Sequence, residues 1–202
     1  ISQQYLFSSW PTGWHATHVG GTIAARGEEV EGGDPKAKGM APEALLDSYE
    51  WNSDYAEMTS AGASAPGELG KIYLSNHSYG YIAGWTIDWI PSLWEYRWSW
   101  YGPWTDPPQD ARDPIFGQYE NETESVDDAA FKCPYYLICC SAGNDRNDNP
   151  APGEPITYVD PPFRYYANYN PAIHPAGDGV YKSGYDTIAP WGAAKNVLSV
   201  GA

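Results

Sequence analysis

Short apolar runs alternate along the chain with stretches in which apolar positions recur at helical spacing. Runs of this length and composition are typical of strands in a covered sheet. They predict strands at residues 44–51, 71–79, 135–142 and 196–202. The helical stretches predict helices at residues 14–25, 53–65 and 124–132. The run "YYLICC" is apolar throughout, which fits a strand covered on both faces.

This alternation of strands and helices predicts a parallel sheet with right-handed crossovers, and hence a layered α/β fold. In such sheets, functional sites form beyond the carboxyl ends of the strands. Two polar segments, "SNHSYG" at 75–80 and "SAGND" at 141–145, lie at these ends, and "WHATH" at 14–18 opens a helix. We therefore expect functional residues in these three segments.

Two stretches interrupt the alternation. Residues 81–123 are rich in aromatic side chains, and residues 145–195 are rich in Pro, Tyr and Asp. Both are interpreted as loop-like insertions into one domain that spans residues 1–202. The chain has 10 Trp and 17 Tyr, many of them within 79–104. A packed insertion and a carbohydrate-binding surface both fit that cluster, because aromatic rings bury large areas and also stack on sugars.

The charge balance excludes some classes of partner. The chain has 26 acidic and 11 basic residues, for a net charge of -15. This charge argues against nucleic acid and anionic membranes as partners. No apolar run approaches the roughly 20 residues of a membrane-spanning helix, and no secretory signal peptide is visible.

The cysteines and histidines do not have the spacing of a metal site. Cys133, Cys139 and Cys140 lack zinc-site spacing and are interpreted as buried thiols. His15 and His18 form an H-x-x-H pair without a third ligand at a related spacing. His77 is interpreted as a packing residue.

Several motifs in order resemble the subtilisin-like serine peptidases, or subtilases. The stretch "HATHVGGTIAA" at 15–25 is similar to their histidine motif, and "SNHSYG" to their substrate-binding strand. "SAGND" is similar to their oxyanion-hole motif, and 184–202 resembles the segment that enters the next core strand. The amino-acid sequence of these stretches resembles most a group of secreted bacterial subtilases. The resemblance implies a three-layer α/β/α fold, here incomplete, with a mostly parallel central sheet.

The resemblance also implies roles for two residues in catalysis. His15 matches the general base, which takes the proton of the nucleophilic serine and returns it to the leaving amine. His18 matches a structural histidine. Asn144 matches the side chain that donates a hydrogen bond to the developing oxyanion.

Substrate-binding roles follow in the same way. Ser78, Tyr79 and Gly80 match the strand that pairs with an extended peptide. Gly143 matches the glycine that lets the backbone approach substrate. Asp145 would place negative charge at the first specificity pocket and favour basic side chains.

The remaining triad members are expected outside this chain. The family order is Asp, His, Ser, and residues 1–14 contain no acidic residue. The nucleophile motif is expected after residue 202. Ser64, in "AGASAP", superficially resembles that motif but lies between the histidine and asparagine motifs, where it would not reach the position of the nucleophile.

No cofactor is required for this chemistry, but a structural calcium ion fits the resemblance. The acidic, Gly-rich loop offers oxygen ligands, with Glu28, Glu31 and Asp34 as candidates. Residues 144–150 are a second candidate loop. A solvated acidic loop is the alternative for both.

The sequence thus predicts part of a secreted or extracellular serine endopeptidase, with the cell surface as an alternative location. Its expected partners are a peptide or protein substrate and the remainder of the same peptidase domain, not nucleic acid or membrane. A catalytically inactive subtilase-like scaffold used for binding or assembly is the alternative function. A carbohydrate-binding module built on the aromatic cluster is a further one.

Overall fold

A computed structural model describes residues 14–28, 30–31, 34–35, 38–49, 51–103, 112–160, 163–180 and 187–201. The chain divides into two compact units, Ile1–Ser60 and Ala61–Ala202. The boundary between them falls within a helix, α2 (Asp54–Gly62). Each unit is described by itself below.

The first unit begins its described part with α1 (Trp14–Ala24). A short antiparallel pair follows, formed by β1 (Val30–Glu31) and β2 (Asp34–Pro35). The backbone after β2 then returns to the end of α1. There Gly39 N–H donates to the Ala25 carbonyl at 2.7 Å, and Met40 N–H donates to the Thr22 carbonyl at 3.0 Å. These bonds satisfy carbonyls that the end of a helix leaves unpaired.

The approach of this backbone to α1 leaves no room for a side chain. A Cβ atom on Gly39 would lie 2.6 Å from the Ala25 backbone nitrogen. On the helix itself, a Cβ on Gly20 would lie 3.3 Å from Leu46 Cδ2. Position 39 therefore requires glycine, and Gly20 leaves room for the Leu46 side chain, whereas a Cβ on Gly21 would meet no atom within 4 Å.

One predicted strand does not form. Residues 44–49 have no regular secondary structure, and Leu45 is 99% exposed. The expectation of a strand at 44–51 was therefore wrong. A strand requires a hydrogen-bonded neighbour, and no strand in the described part of the chain pairs with this run. The following helix was predicted at 53–65 and forms as α2, after a short 3-10 turn at Trp51–Ser53.

The second unit contains one helix and seven strands among its described residues. In chain order these are β3 (Leu74–His77), β4 (Trp85–Ile90), β5 (Glu95–Trp100), α3 (Asn121–Lys132), β6 (Leu137–Ser141), β7 (Pro155–Asp160), β8 (Phe163–Asn168) and β9 (Leu198–Val200). They form a parallel sheet of three strands and a mixed sheet of four.

The parallel sheet has the order β3-β6-β9, with β6 in the centre. Ile138 and Cys140, on one face of β6, are buried, whereas Leu137 on the other face is 42% exposed. All three strands were predicted from their apolar runs. The parallel pairing and the α/β class are therefore confirmed.

The four-stranded sheet corrects the interpretation of residues 81–123 and 145–195 as loops. Two antiparallel hairpins, β4-β5 and β7-β8, join through the parallel pair β5-β7. Trp85 and Trp100 face each other across β4 and β5, and they pack with Ile156 and Tyr169 into a buried cluster. The packed-insertion alternative for the aromatic cluster therefore holds for these rings.

Candidate active site

The loops that follow β3 and β6 lie beside each other at one edge of the parallel sheet. The two strands are parallel neighbours whose last shared pair is His77–Cys140, so both loops leave at the same edge. The segment around Ala189 lies against both of them. Its N–H donates to the Ala142 carbonyl at 3.3 Å, and a Cβ on Gly80 would lie 3.6 Å from the Ala189 Cβ. The structure thus brings together the predicted substrate-binding segment, residues 78–80, and the predicted oxyanion segment.

The backbone conformation of the oxyanion segment requires glycine. Gly143 has a φ of 105°, which side chains rarely adopt, and a Cβ there would lie 2.8 Å from Asp145 Oδ2. Asn144 follows with an exposed side chain and opens a 3-10 turn at Asp145–Asn147. An open cavity of about 300 Å³ is lined by Gly143, Asn144, Arg146 and Asn147. The amide of Asn144 is therefore accessible to a ligand in this cavity.

Asp145 turns its carboxylate towards the backbone of Gly143 rather than into the cavity. Its side chain is half-buried, and burial raises its pKa. The charged residue that lines the cavity is Arg146. The expected preference for basic side chains, which was based on Asp145, stays a prediction.

Three other aspartates lie close enough to Asp145 to affect one another, and sequence reasoning did not identify this cluster. Burial, and then the negative charge of Asp145, raises the pKa of Asp148 to about 6. Burial raises the pKa of Asp178 to about 8, and the charges of Asp145, Asp148 and Asp113 add to that effect. Asp145 and Asp148 lie in the candidate loop at residues 144–150, but Asp113 and Asp178 come from segments far apart in sequence, so no local motif marks the whole cluster.

His15, the predicted general base, lies in the first unit, in the first turn of α1. Its side chain is half-buried, and its ring meets that of Trp14 edge-on with centroids 5.7 Å apart. His18 is exposed, and its backbone carbonyl accepts a 2.9 Å hydrogen bond from the Thr22 hydroxyl. The two histidines thus differ in environment, and only His15 is partly enclosed.

His77 lies in the second unit and is buried, as the packing interpretation expected. It also hydrogen-bonds to two hydroxyl groups, at Ser75 and Tyr79. Sequence reasoning missed these bonds. The signal was present, because residues 75, 77 and 79 alternate along a strand and therefore share one face.

Of the three candidate calcium ligands, only Glu28 has a described side chain, so the site formed by Glu28, Glu31 and Asp34 stays a prediction. The Glu28 carboxylate lies 3.8 Å from the guanidinium of Arg26, which competes with any bound cation. The side chains of Glu31 and Asp34 lie outside the described residues. No described group of three or more acidic, His or Cys side chains is placed to hold a metal ion, and this includes the aspartates of residues 144–150. The catalytic steps proposed for this chain therefore do not involve calcium.

The three cysteines lie on or near β6 and are not joined in disulfide bonds. Cys133 and Cys140 are buried and Cys139 is half-buried. Burial, together with the neighbouring Cys139, raises the pKa of Cys140 to about 12. Burial also raises the pKa of Cys139, so the thiols of Cys139 and Cys140 stay protonated at neutral pH and are not placed to act as nucleophiles.

A family comparison covers nearly the whole chain. The model of the subtilase family matches residues 8–202. The chain belongs to the subtilase family. Membership assigns a serine-peptidase kind of function, with peptides or proteins as substrates. No curated protein sequence and no solved structure matches this subtilase chain. Among the described residues, none of the helices has the length and apolar character that crossing a membrane requires.

Proposed function

We propose that this subtilase chain is part of a secreted serine endopeptidase that cleaves peptide bonds through an acyl-enzyme intermediate. His15 acts as the general base, and Asn144 donates a hydrogen bond to the oxyanion. The orienting Asp and the nucleophilic Ser belong to the remaining part of the same peptidase domain. The match to the subtilase family over residues 8–202 is the observation that carries this proposal.

The geometry of the second unit supports the role of Asn144. An oxyanion donor must be accessible and must be held by rigid backbone, so that little reorganisation accompanies the reaction. Asn144 is exposed at an open cavity, and the backbone two residues before it is anchored by the Ala142 N–H, which donates to the Val200 carbonyl at 2.9 Å. In the proposed reaction, the Asn144 amide stabilises the negative charge that develops on the scissile carbonyl oxygen.

The segment at residues 78–80 is proposed to bind the substrate backbone. It continues from β3 beyond the last pair that β3 shares with β6. An extended peptide can add there as a further strand, with main-chain hydrogen bonds that tolerate many sequences. This mode of binding holds the scissile bond beside Gly143 and Asn144 and reduces the entropy cost of reaching the transition state.

The general base is tested with the full-length protein that contains these residues. His15→Ala should lower kcat on a peptide substrate by several orders of magnitude, whereas His18→Ala should retain activity within about tenfold. A serine-directed fluorophosphonate should label the active full-length protein. Full activity of the His15→Ala variant would refute the assignment of the base.

The inactive-scaffold alternative predicts a different outcome of the same experiments. A scaffold would bind peptides without turnover and would not react with the fluorophosphonate. The isolated chain of residues 1–202 is expected to be inactive, since the proposed triad is incomplete in it. Turnover of a peptide ester by this isolated chain, abolished by His15→Ala, would contradict that expectation.

A further inference from the structure

His77 lies at the end of β3, between the hydroxyl groups of two residues on the same face of the chain. Its Nε2 atom is 2.8 Å from Ser75 Oγ, and its Nδ1 atom is 2.7 Å from the Tyr79 hydroxyl oxygen. The side chain is buried, with only 6% of the residue exposed. Both ring nitrogens therefore have a partner, which a buried imidazole requires.

A second tyrosine hydrogen-bonds to Ser75. The Tyr136 hydroxyl, from the segment just before β6, donates to Ser75 Oγ at 2.7 Å. This bond leaves the hydrogen of the Ser75 hydroxyl free to be donated to Nε2 of His77, because a hydroxyl group carries one donor. We infer the matching tautomer, in which Nε2 accepts from Ser75 and Nδ1 donates to the Tyr79 oxygen.

This arrangement requires the neutral form of the imidazole. In a histidinium ion both ring nitrogens are donors, so Ser75 could no longer donate to Nε2. Burial favours the neutral form as well and lowers the pKa of His77 to about 4. The rings of His77 and Trp191 also pack with centroids 5.4 Å apart. The imidazole is therefore held by packing on one side and by two directed hydrogen bonds.

Tyr79, which hydrogen-bonds to His77, lies outside the strand ladder. Pairing between β3 and β6 stops at His77–Cys140, so the conformation of the next residues depends on their side chains. On the opposite face, the Asn76 amide donates to Ser78 Oγ at 2.8 Å. The ring of Tyr79 additionally packs on Trp191, with centroids 5.7 Å apart. Contacts on both faces thus extend the order of β3 into residues 78–80.

We propose that His77 is a positioning residue that holds Tyr79, and with it residues 78–80, in the extended conformation that receives the substrate backbone. This inference rests on the proposed function. It assigns His77 no contact with the reacting atoms. It predicts that loss of the His77 hydrogen bonds weakens binding of long substrates and leaves the chemical step on short ones intact.

The test compares an extended peptide amide with a single-residue ester on the full-length protein. His77→Phe fills the volume of the ring but removes both hydrogen bonds. It should raise KM for the extended peptide about tenfold and leave kcat/KM for the ester within about twofold. His77→Gln keeps one donor and one acceptor, and should restore KM for the peptide to within about threefold of the parent.

Two further variants separate this role from general destabilisation. His174→Gln changes another buried histidine, whose Nδ1 accepts from the Asn170 backbone N–H. This variant should keep the parental KM for the peptide and the parental kcat/KM for the ester. Tyr79→Phe removes only the hydroxyl that accepts from His77. If the two residues act as one unit, Tyr79→Phe should also raise KM for the peptide. The double variant His77→Phe/Tyr79→Phe should then have a KM close to that of the single variant with the higher KM.

The outcomes distinguish failure of this inference from failure of the proposed function. If the parent protein cleaves neither substrate, the proposed function fails and this inference fails with it. In a second outcome, the parent cleaves both substrates while His77→Phe lowers kcat/KM for both by the same factor. In that case the residue is only structural, and this inference alone is overturned. If His77→Phe does not fold, the Tyr79→Phe variant provides the test. An unchanged KM for the peptide in Tyr79→Phe also overturns the inference.

Discussion

The carboxylate of Asp178 accepts a 2.7 Å hydrogen bond from the backbone N–H of Trp85. The bond joins the segment after β8 to the first residue of β4, two places 93 residues apart in sequence. Asp178 is 1% exposed, and its other oxygen, Oδ1, has no hydrogen-bond partner among the described residues. A carboxyl group in this position is more stable with a proton than with a negative charge.

Asp178→Asn should therefore change the pH dependence of stability. The pKa of Asp178 is raised to about 8 in the folded protein, against about 4 in the unfolded chain. Between these values the folded state holds a proton that the unfolded state has lost, so the free energy of unfolding falls as pH rises from about 4 to about 8. Asparagine cannot ionise, and the variant should lose this part of the slope.

The measurement is urea unfolding followed by tryptophan fluorescence at several pH values, with a chelator present so that protons alone are titrated. Asp47→Asn is the matched control, because it makes the same substitution at an exposed side chain. That control should keep the pH slope of the parent. An Asp178→Asn variant with the same slope as the parent would show that the carboxyl group is ionised at neutral pH.

Gly84 lies directly beside Asp178, and this contact predicts a costly substitution. Gly84 has a φ of 57°, and a Cβ atom there would lie 2.2 Å from Asp178 Oδ2. Gly84→Ala should lower the free energy of unfolding by about 3 kcal/mol or more, from backbone strain and overpacking together. Gly67→Ala isolates the strain, since Gly67 has a φ of 89° and no atom within 4 Å of its Cβ position.

For Gly67→Ala the expected loss is about 1 kcal/mol. Thermal and urea unfolding of both variants give the comparison. Equal losses at the two positions would mean that the loop around Asp178 moves aside without cost.

The parallel sheet could be predicted because its strands are marked by local composition. The run at 135–142 is apolar throughout, which marks it as a strand without knowledge of its neighbours, although only the face with Ile138 and Cys140 is buried. Residues 44–51 carry a similar apolar pattern, yet Leu45 is 99% exposed and the segment has no strand partner among the described residues. Composition indicates that a segment can form a strand, but pairing depends on distant residues.

The four-stranded sheet was missed although its period was visible. Trp85, Ile87 and Trp89 alternate with Thr86 and Asp88 along β4, which is a strand signal. The high content of Pro, Tyr and Asp around it favoured loops instead. At the candidate site, the family resemblance predicts His15 and Asn144 as catalytic residues. The partners of His77 are close in sequence and alternate with it, whereas the bond between Asp178 and Trp85 joins residues that only the folded chain brings together.

Asn144→Ala tests the proposed oxyanion donor. Removal of one such donor costs roughly 10²–10³ in kcat, or about 3–4 kcal/mol of transition-state stabilisation, while ground-state binding changes little. We expect this loss in kcat with KM within about threefold, measured on a peptide substrate with the full-length protein. Asn168→Ala removes an exposed amide from β8 and should have parental kinetics. A loss confined to KM would instead assign Asn144 to substrate binding.

Asp127, on α3, should be a major contributor to the stability of the second unit. Its Oδ1 atom accepts from the backbone N–H groups of Lys195 at 2.9 Å and Asn196 at 2.7 Å, and its Oδ2 accepts from the Tyr119 hydroxyl at 2.8 Å. The residue is 7% exposed. Asp127→Ala leaves these donors without an acceptor in a largely buried place, and should lower the free energy of unfolding by about 3 kcal/mol.

The same contacts give a pH dependence that identifies the charge of Asp127 as the cause. Burial by itself would raise the pKa of this carboxyl group, but the hydrogen bonds from Tyr119, Lys195 and Asn196 hold it below its ordinary value. The stabilisation is therefore complete above the unfolded pKa of about 4 and is lost as pH falls through the lower folded pKa. Asp127→Asn should remove this acid-side loss, whereas Tyr119→Phe should keep most of it and cost about 1 kcal/mol. Urea unfolding from pH 7 to pH 3 tests both, and an acid-side slope that survives in Asp127→Asn would assign the loss to another carboxyl group.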